Sequence, residues 1–166
     1  VSLRRAGEQA FEVLGDFSEN QVPLEEDVLS GKLSVRVQSV AQGKNLLGMD
    51  REMVSRRALE VSVQPRNLVQ PTLEGRTGSE GDLHLSWNGA GGYEVSTVED
   101  GRYPPVCRVN GDKTVIRFGE DGDLDLPEYD QTVWISIRAA YQGEGYVLYG
   151  PYAQPVSVER TALMGN

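Results

Sequence analysis

The densest run of potential ligands is Glu120-Asp121-Gly122-Asp123-Leu124-Asp125, with Glu128 and Asp130 just beyond. Carboxylates at alternate loop positions can wrap oxygen ligands around Ca²⁺. The helix-loop-helix calcium pattern fails here, because Leu126 stands where its glycine belongs and no glutamate closes the loop. The plainer expectation is a solvated loop with Leu124 and Leu126 turned into a core, and no metal or other cofactor. His84 is the single histidine and Cys107 the single cysteine. A lone histidine does not make a metal site, and a lone thiol without a nearby base is not an activated nucleophile. Carboxylate groups such as Glu25-Glu26-Asp27 read as solvated turns. A glycosidase pair would have to sit about 5 to 9 Å apart on a rigid cleft. The run Asn88-Gly89-Ala90-Gly91-Gly92 leads into no helix, so it reads as a turn and not as a phosphate cradle. No enzymatic activity is expected.

The aromatic residues are more informative. In Thr132-Val133-Trp134-Ile135-Ser136-Ile137 the apolar residues alternate, which sends Val133, Ile135 and Ile137 to a core and Trp134 outward. Tyr141, Tyr146, Tyr149 and Tyr152 lie along the hairpin that follows. Such rings on one sheet face have three uses. They can shield the sheet by cross-strand packing, form a subunit interface, or stack on sugar rings. These five residues are the candidate binding face.

Positioning such a face takes strands, and the composition points to strands. The 166 residues include 19 glycines and 8 prolines, which punctuate the chain at the spacing of short strands and turns. Residues 83–87, 92–96, 106–109, 114–118, 132–139 and 155–159 each alternate over a few positions. With Thr72-Leu73-Glu74 they make seven strands in the second half of the chain. Residues 1–68 hold ten acids and nine bases, whereas residues 69–166 hold fifteen and seven. The Pro65 to Pro71 stretch between them reads as a linker. Two units are therefore expected, 1–66 and 67–166.

The net charge of -9 argues against nucleic acid or an anionic membrane surface as partner. The longest apolar run is Tyr146-Val147-Leu148-Tyr149, too short to insert in a bilayer. Val1-Ser2-Leu3-Arg4-Arg5 leads into no long apolar stretch, so no signal peptide is expected there.

The two units share sequence. Residues 35–43 match 135–143, residues 7–15 match 111–119, and Val61-Ser62-Val63 matches Val156-Ser157-Val158. The three matches fall in the same order along the chain. On this alignment residue 1 corresponds to about residue 105, so the first copy lacks the counterpart of residues 69–104. Half a sandwich leaves an inner face wet and edges unpaired. The expectation is that further strands come from a longer chain or from another subunit. The alternative is that residues 1–68 form an unrelated small β unit.

The second copy resembles a fibronectin type III domain. The residues carrying the resemblance are Leu83-His84-Leu85-Ser86-Trp87, Tyr93-Glu94-Val95-Ser96, Leu126-Pro127, the alternating Val133, Ile135, Ile137 and Ala139, and Pro155 to Thr161. The family's corner tyrosine is replaced by Val133, so its buried hydroxyl link is either absent or supplied by Tyr129. The resemblance implies an all-β Greek-key sandwich, one complete copy after a truncated one. The tandem is also similar to C-terminal domains of bacteriophage tail-tip, hub and fibre proteins, and to accessory modules of secreted glycan-degrading enzymes. Those likenesses imply a non-catalytic structural or adhesion role in a virion tail or outside the cell. The partners would be other subunits of the same assembly. The alternative they leave is a carbohydrate-binding or spacer module.

Overall fold

The computed structural model describes residues 1–18, 21–24, 31–77, 83–88, 91–111, 113–119, 121–125, 127–128 and 131–159. The described residues form β-strands and no helix. The chain divides into two compact units. One is Val1–Asn67 with Gly143–Tyr146, and the other is Leu68–Gln142 with Val147–Asn166.

The first unit holds β1 (Ser2–Arg5), β2 (Glu12–Val13), β3 (Leu33–Val37), β4 (Val40–Lys44), β5 (Asp50–Val54) and β6 (Leu59–Val63). Four of them form one antiparallel sheet in the order β2-β1-β3-β6, and β4 and β5 form a separate hairpin. Alternation along β3 puts Leu33, Val35 and Val37 on one face. Their cross-strand partners Leu3, Val63, Val61 and Leu59 share that face. The other face is polar. Glu60 accepts from both Arg4 and Arg36 at 3.3 Å, and the two guanidinium carbons lie 4.6 and 3.8 Å from the Phe11 ring centre.

The apolar face is unevenly covered. Leu3, Leu33 and Val63 are buried, whereas Val37 is 42% and Leu59 64% exposed.

The second unit contains β7 (Thr72–Thr77), β8 (Leu83–Asn88), β9 (Gly92–Thr97), β10 (Pro105–Val109), β11 (Val115–Arg117), β12 (Thr132–Gln142), β13 (Val147–Tyr152) and β14 (Val156–Glu159). One sheet runs β11-β8-β7, and the other runs β10-β9-β12-β13 with β14 also paired to β12. Consecutive strands therefore change sheet between β8 and β9, between β10 and β11, and between β11 and β12. The β9–β10 turn places Asp100 at φ +50° and Gly101 at φ +75°, the paired left-handed conformation that tight hairpins need.

Inward residues of both sheets make one core. Leu73, Leu85, Trp87, Ile116 and Phe118 meet Tyr93, Val95, Val109, Ile135, Ile137 and Val158. Trp87 and Tyr93 contact edge to face, with ring centres 5.2 Å apart. Burial of each large aliphatic side chain in such a core contributes roughly 1.5–3 kcal/mol.

Seven strands are expected in this half from sequence, and eight are present among the described residues. The addition is β13, which pairs the distal half of β12 while β14 pairs the proximal half. The β12–β13 register shifts between Arg138 and Ala140. Ala153 then donates its N–H to the Ile137 carbonyl at 2.7 Å, and Pro155, with no N–H, separates the two strands.

Two of the matched segments pair in like register in the two units. Leu33 pairs Val63 as Val133 pairs Val158, and Val35 pairs Val61 as Ile135 pairs Val156. The match of residues 7–15 with 111–119 is not followed by the pairing. There β11 pairs β8, whereas β2 pairs β1, much as β10 pairs β9. Beside β3, β1 takes the place that β9 holds beside β12. Among the described residues the first unit has no strand of the β8 type, so β2 joins the free edge of β1 instead.

Candidate functional site

The outer face of the five-stranded sheet in the second unit gathers its polar and aromatic side chains. Ile135 and Ile137 point into the core, so Trp134, Ser136 and Arg138 point outward. On β9, Tyr93 and Val95 point inward, so Glu94 and Ser96 point outward. The antiparallel register sets Arg138 opposite Glu94 and Ser136 opposite Ser96.

These outward groups are nevertheless buried. Glu94 is 4% and Arg138 8% exposed, and both serines are fully covered. The cover is a stack of rings and guanidinium groups. Arg138 donates from Nε and Nη2 to Glu94 Oε1 at 3.0 and 2.6 Å. Its guanidinium carbon lies 3.7 Å from the Tyr149 ring centre and 4.7 Å from that of Tyr152. Tyr103 stacks on Tyr152 with centres 4.1 Å apart and planes 16° from parallel. On the other side, Arg108 donates from Nε and Nη2 to Glu94 Oε2 at 3.4 Å and also donates to the Tyr149 hydroxyl. The hydroxyls of Ser96 and Tyr152 lie 3.4 Å apart, and Ser136 donates to the Ala153 carbonyl at 2.8 Å.

Burial pushes the Tyr149 phenol above its ordinary value, helped by the hydrogen bond and charge of Glu94 and opposed by Arg108 and Arg138. The carboxylate of Glu94 is held by two arginines. A buried, fully hydrogen-bonded ion pair of this kind fixes geometry. The stack leaves Tyr149 and Tyr152 engaged with Arg138 and Tyr103, not free as a platform for a ligand.

The five aromatic residues expected to share a face do not form one continuous surface. Tyr149 and Tyr152 join the stack. Trp134 lies on the same side of the sheet, about 13 Å from Arg138 along β12 at ~3.3 Å per residue, and is 49% exposed. Tyr141 pairs Leu148 near the distal end of β12 and is half-buried. Tyr146 sits in the Gly143–Tyr146 turn, which groups with the first unit, and its hydroxyl accepts the Gln64 N–H at 3.1 Å. The stack also contains Tyr103, Arg108, Arg138 and Glu94, which sequence reasoning did not single out. One signal was present: Glu94 and Arg138 are charges of opposite sign inside two otherwise apolar strands.

The other candidates have plain surroundings. In the acidic loop, Asp123 is bonded to Lys113 and accepts the Arg117 N–H at 3.0 Å. Burial pushes its carboxyl up, but the hydrogen bonds and the charges of Lys113 and Arg117 outweigh this and hold it below the usual range. Leu124 is buried, as expected, and Glu120, Leu126, Tyr129 and Asp130 lie outside the described residues. Among the described residues no three His, Cys, Asp or Glu side chains group closely enough to hold a metal. Burial raises the Cys107 thiol, with Asp123 adding to the shift and Lys113 opposing it, so the thiol stays protonated at neutral pH. His84 is half-buried on β8, opposite Arg117 and Arg76. No helix among the described residues is long and apolar enough to cross a membrane.

No family model matches the chain. No curated protein matches it either. A solved structure titled "Crystal Structure of FN3tt" is similar at 22% identity, covering 56% of this chain and 92% of that chain, with a TM-score of 0.34. By its own sheet order and core, the second unit is a fibronectin type III-like β-sandwich.

Proposed function

We propose that the chain is a non-catalytic structural and contact module of a large extracellular assembly, of the kind found in bacteriophage tail tips, hubs and fibres. One pair of equivalent residues carries the reading. Ile137 in the second unit is fully buried, whereas Val37, at the same register position in the first, is 42% exposed. A closed sandwich joined to a unit with an open apolar face suits a piece that docks into something larger. The acidic surface suits a protein contact better than a nucleic-acid one. An antiserum raised against the chain tests the context. Labelling of tail tips or fibres on intact particles supports it, and confinement to soluble secreted enzyme fractions overturns it.

Trp134 supports a second reading, a carbohydrate-binding module. It is the large ring on the outer sheet face that stands half in solvent, and such a ring stacks on sugar. Binding on a glycan array that disappears in Trp134→Ala would favour this reading over the first.

A further inference from the structure

We infer that the tip of the β4–β5 hairpin, residues 45–49, is a lipid-contact site that enters the surface layer of a zwitterionic membrane. The inference goes beyond the assembly role and does not depend on it. It concerns contact with one leaflet and not a crossing of the bilayer. In Asn45-Leu46-Leu47-Gly48-Met49, Leu46 is wholly exposed, Leu47 is 81% and Met49 56% exposed. The two leucines are the most exposed large apolar side chains among the described residues. Neither face of the hairpin packs into a core, since every residue of β4 and β5 except Gly43 is exposed.

The turn satisfies its own backbone. Asn45 Oδ1 accepts the N–H of Leu47 at 2.9 Å and that of Met49 at 3.0 Å. The Asn45 carbonyl accepts the Gly48 N–H, and the Met49 carbonyl accepts the Asn45 N–H, each at 2.9 Å. Gly48 permits this closure at φ +76°, a conformation that a residue with a side chain resists. Leu46 and Leu47 are thereby held at the apex, between Asn45 and Gly48. Four amides of the tip can leave water with their hydrogen bonds intact. A protein groove could supply such bonds itself, whereas hydrocarbon supplies none, so self-contained amides favour lipid as the medium the tip enters.

The charges behind the tip select the lipid class. Lys44 stands opposite Asp50 where the strands begin, and Arg51 follows Asp50. At ~3.3 Å per residue these groups lie one or two strand positions behind the turn. That is headgroup depth when the apex reaches the acyl boundary. A collar of both signs matches headgroups that carry phosphate and amine together. Residues 39–57 hold four bases and two acids, within a chain whose net charge is -9. The remainder of the chain repels an anionic surface, so a neutral surface is the one on which the apolar apex decides.

The test uses the whole chain and vesicles of pure phosphatidylcholine. Leu47→Cys, in a Cys107→Ser background, carries an environment-sensitive dye at the tip, and Val69→Cys, 76% exposed in the native chain, carries it at a control position. A blue shift of the dye at position 47 and not at position 69, saturating at millimolar lipid, is the expected result. In flotation without dye, Leu46→Ser/Leu47→Ser should lower the partition coefficient about tenfold or more. The melting temperature should not change, because both side chains already stand in water. An unshifted dye at position 47, or equal partition of the parent chain and the double variant, would overturn the inference. So would binding that requires added phosphatidylserine, because charge would then drive it. Self-association in sedimentation that the double variant abolishes would overturn it as well, because a second copy would then cover the tip.

Discussion

Arg138 and Glu94, 44 residues apart in sequence, meet on the outside of a sheet and are both withdrawn from water. They are brought together by the β9–β12 register and covered by Tyr149 and Tyr152. Removing Arg138 leaves Glu94 to Arg108 alone, whereas removing Glu94 takes the carboxylate from the buried Arg138 guanidinium. Glu94→Ala is therefore expected to destabilise the second unit by about 3–5 kcal/mol and Arg138→Ala by less, whereas the double variant Glu94→Leu/Arg138→Met should recover most of the Glu94→Ala loss. Chemical denaturation of the two single variants and the double variant checks both statements, and additive losses would contradict them.

The duplicated registers make a paired prediction. Ile137→Ala opens a cavity in a closed core and should cost about 2–4 kcal/mol. Val37→Ala, at the equivalent open position, should stay within about 0.5–1 kcal/mol. Equal losses in thermal or urea unfolding would mean that the first unit is as closed as the second.

Asp123 makes the acid limb of stability specific. Its carboxyl is held below the ordinary value in the folded protein, so it contributes stability above its unfolded pKa. That contribution is lost as pH falls through the lower, folded value. Asp123→Asn should flatten the decline of the urea midpoint between about pH 5 and pH 2. An unchanged slope in the variant would show that other carboxylates carry the acid sensitivity.

Trp134 should be separable from the fold. Its ring is half exposed and lies outside the Arg138 stack, so Trp134→Ala should change stability by no more than about 0.5 kcal/mol. Thermal denaturation monitored by circular dichroism is the check. A larger loss would assign the ring to packing and remove it as a contact residue.

The strands of the second unit were legible because alternation such as Leu83-His84-Leu85-Ser86-Trp87 is a local signal. The outward Trp134 and the buried Ile135 and Ile137 followed from the same period of two. The Arg138 stack was not legible, because its members come from β9, β10, β12, β13 and the loop at Tyr103, and only pairing aligns them. Tyr141 and Tyr146 were grouped with Tyr149 by proximity along the chain. Tyr141 stands an odd number of places from Trp134 on β12, so the period of two sends it to the opposite face, and Tyr146 lies in the Gly143–Tyr146 turn that groups with the first unit. Among the matched segments, β3–β6 and β12–β14 pair in like register, whereas residues 7–15 and 111–119 take different neighbours, because similarity along a segment does not choose the strand beside it.

The two units offer the folding chain nearly interchangeable strands, since β6 could align on β12 in the register that β14 uses. Glu60 discriminates against this error. Beside β3 it answers Arg4 and Arg36. Beside β12 it would fall where Pro155 stands, opposite the fully covered Ser136 and not opposite an arginine as it does beside β3. The two ion pairs of Glu60 thus tie β6 and β1 to β3 across the polar face, so charge on one side and apolar pairing on the other specify the same register.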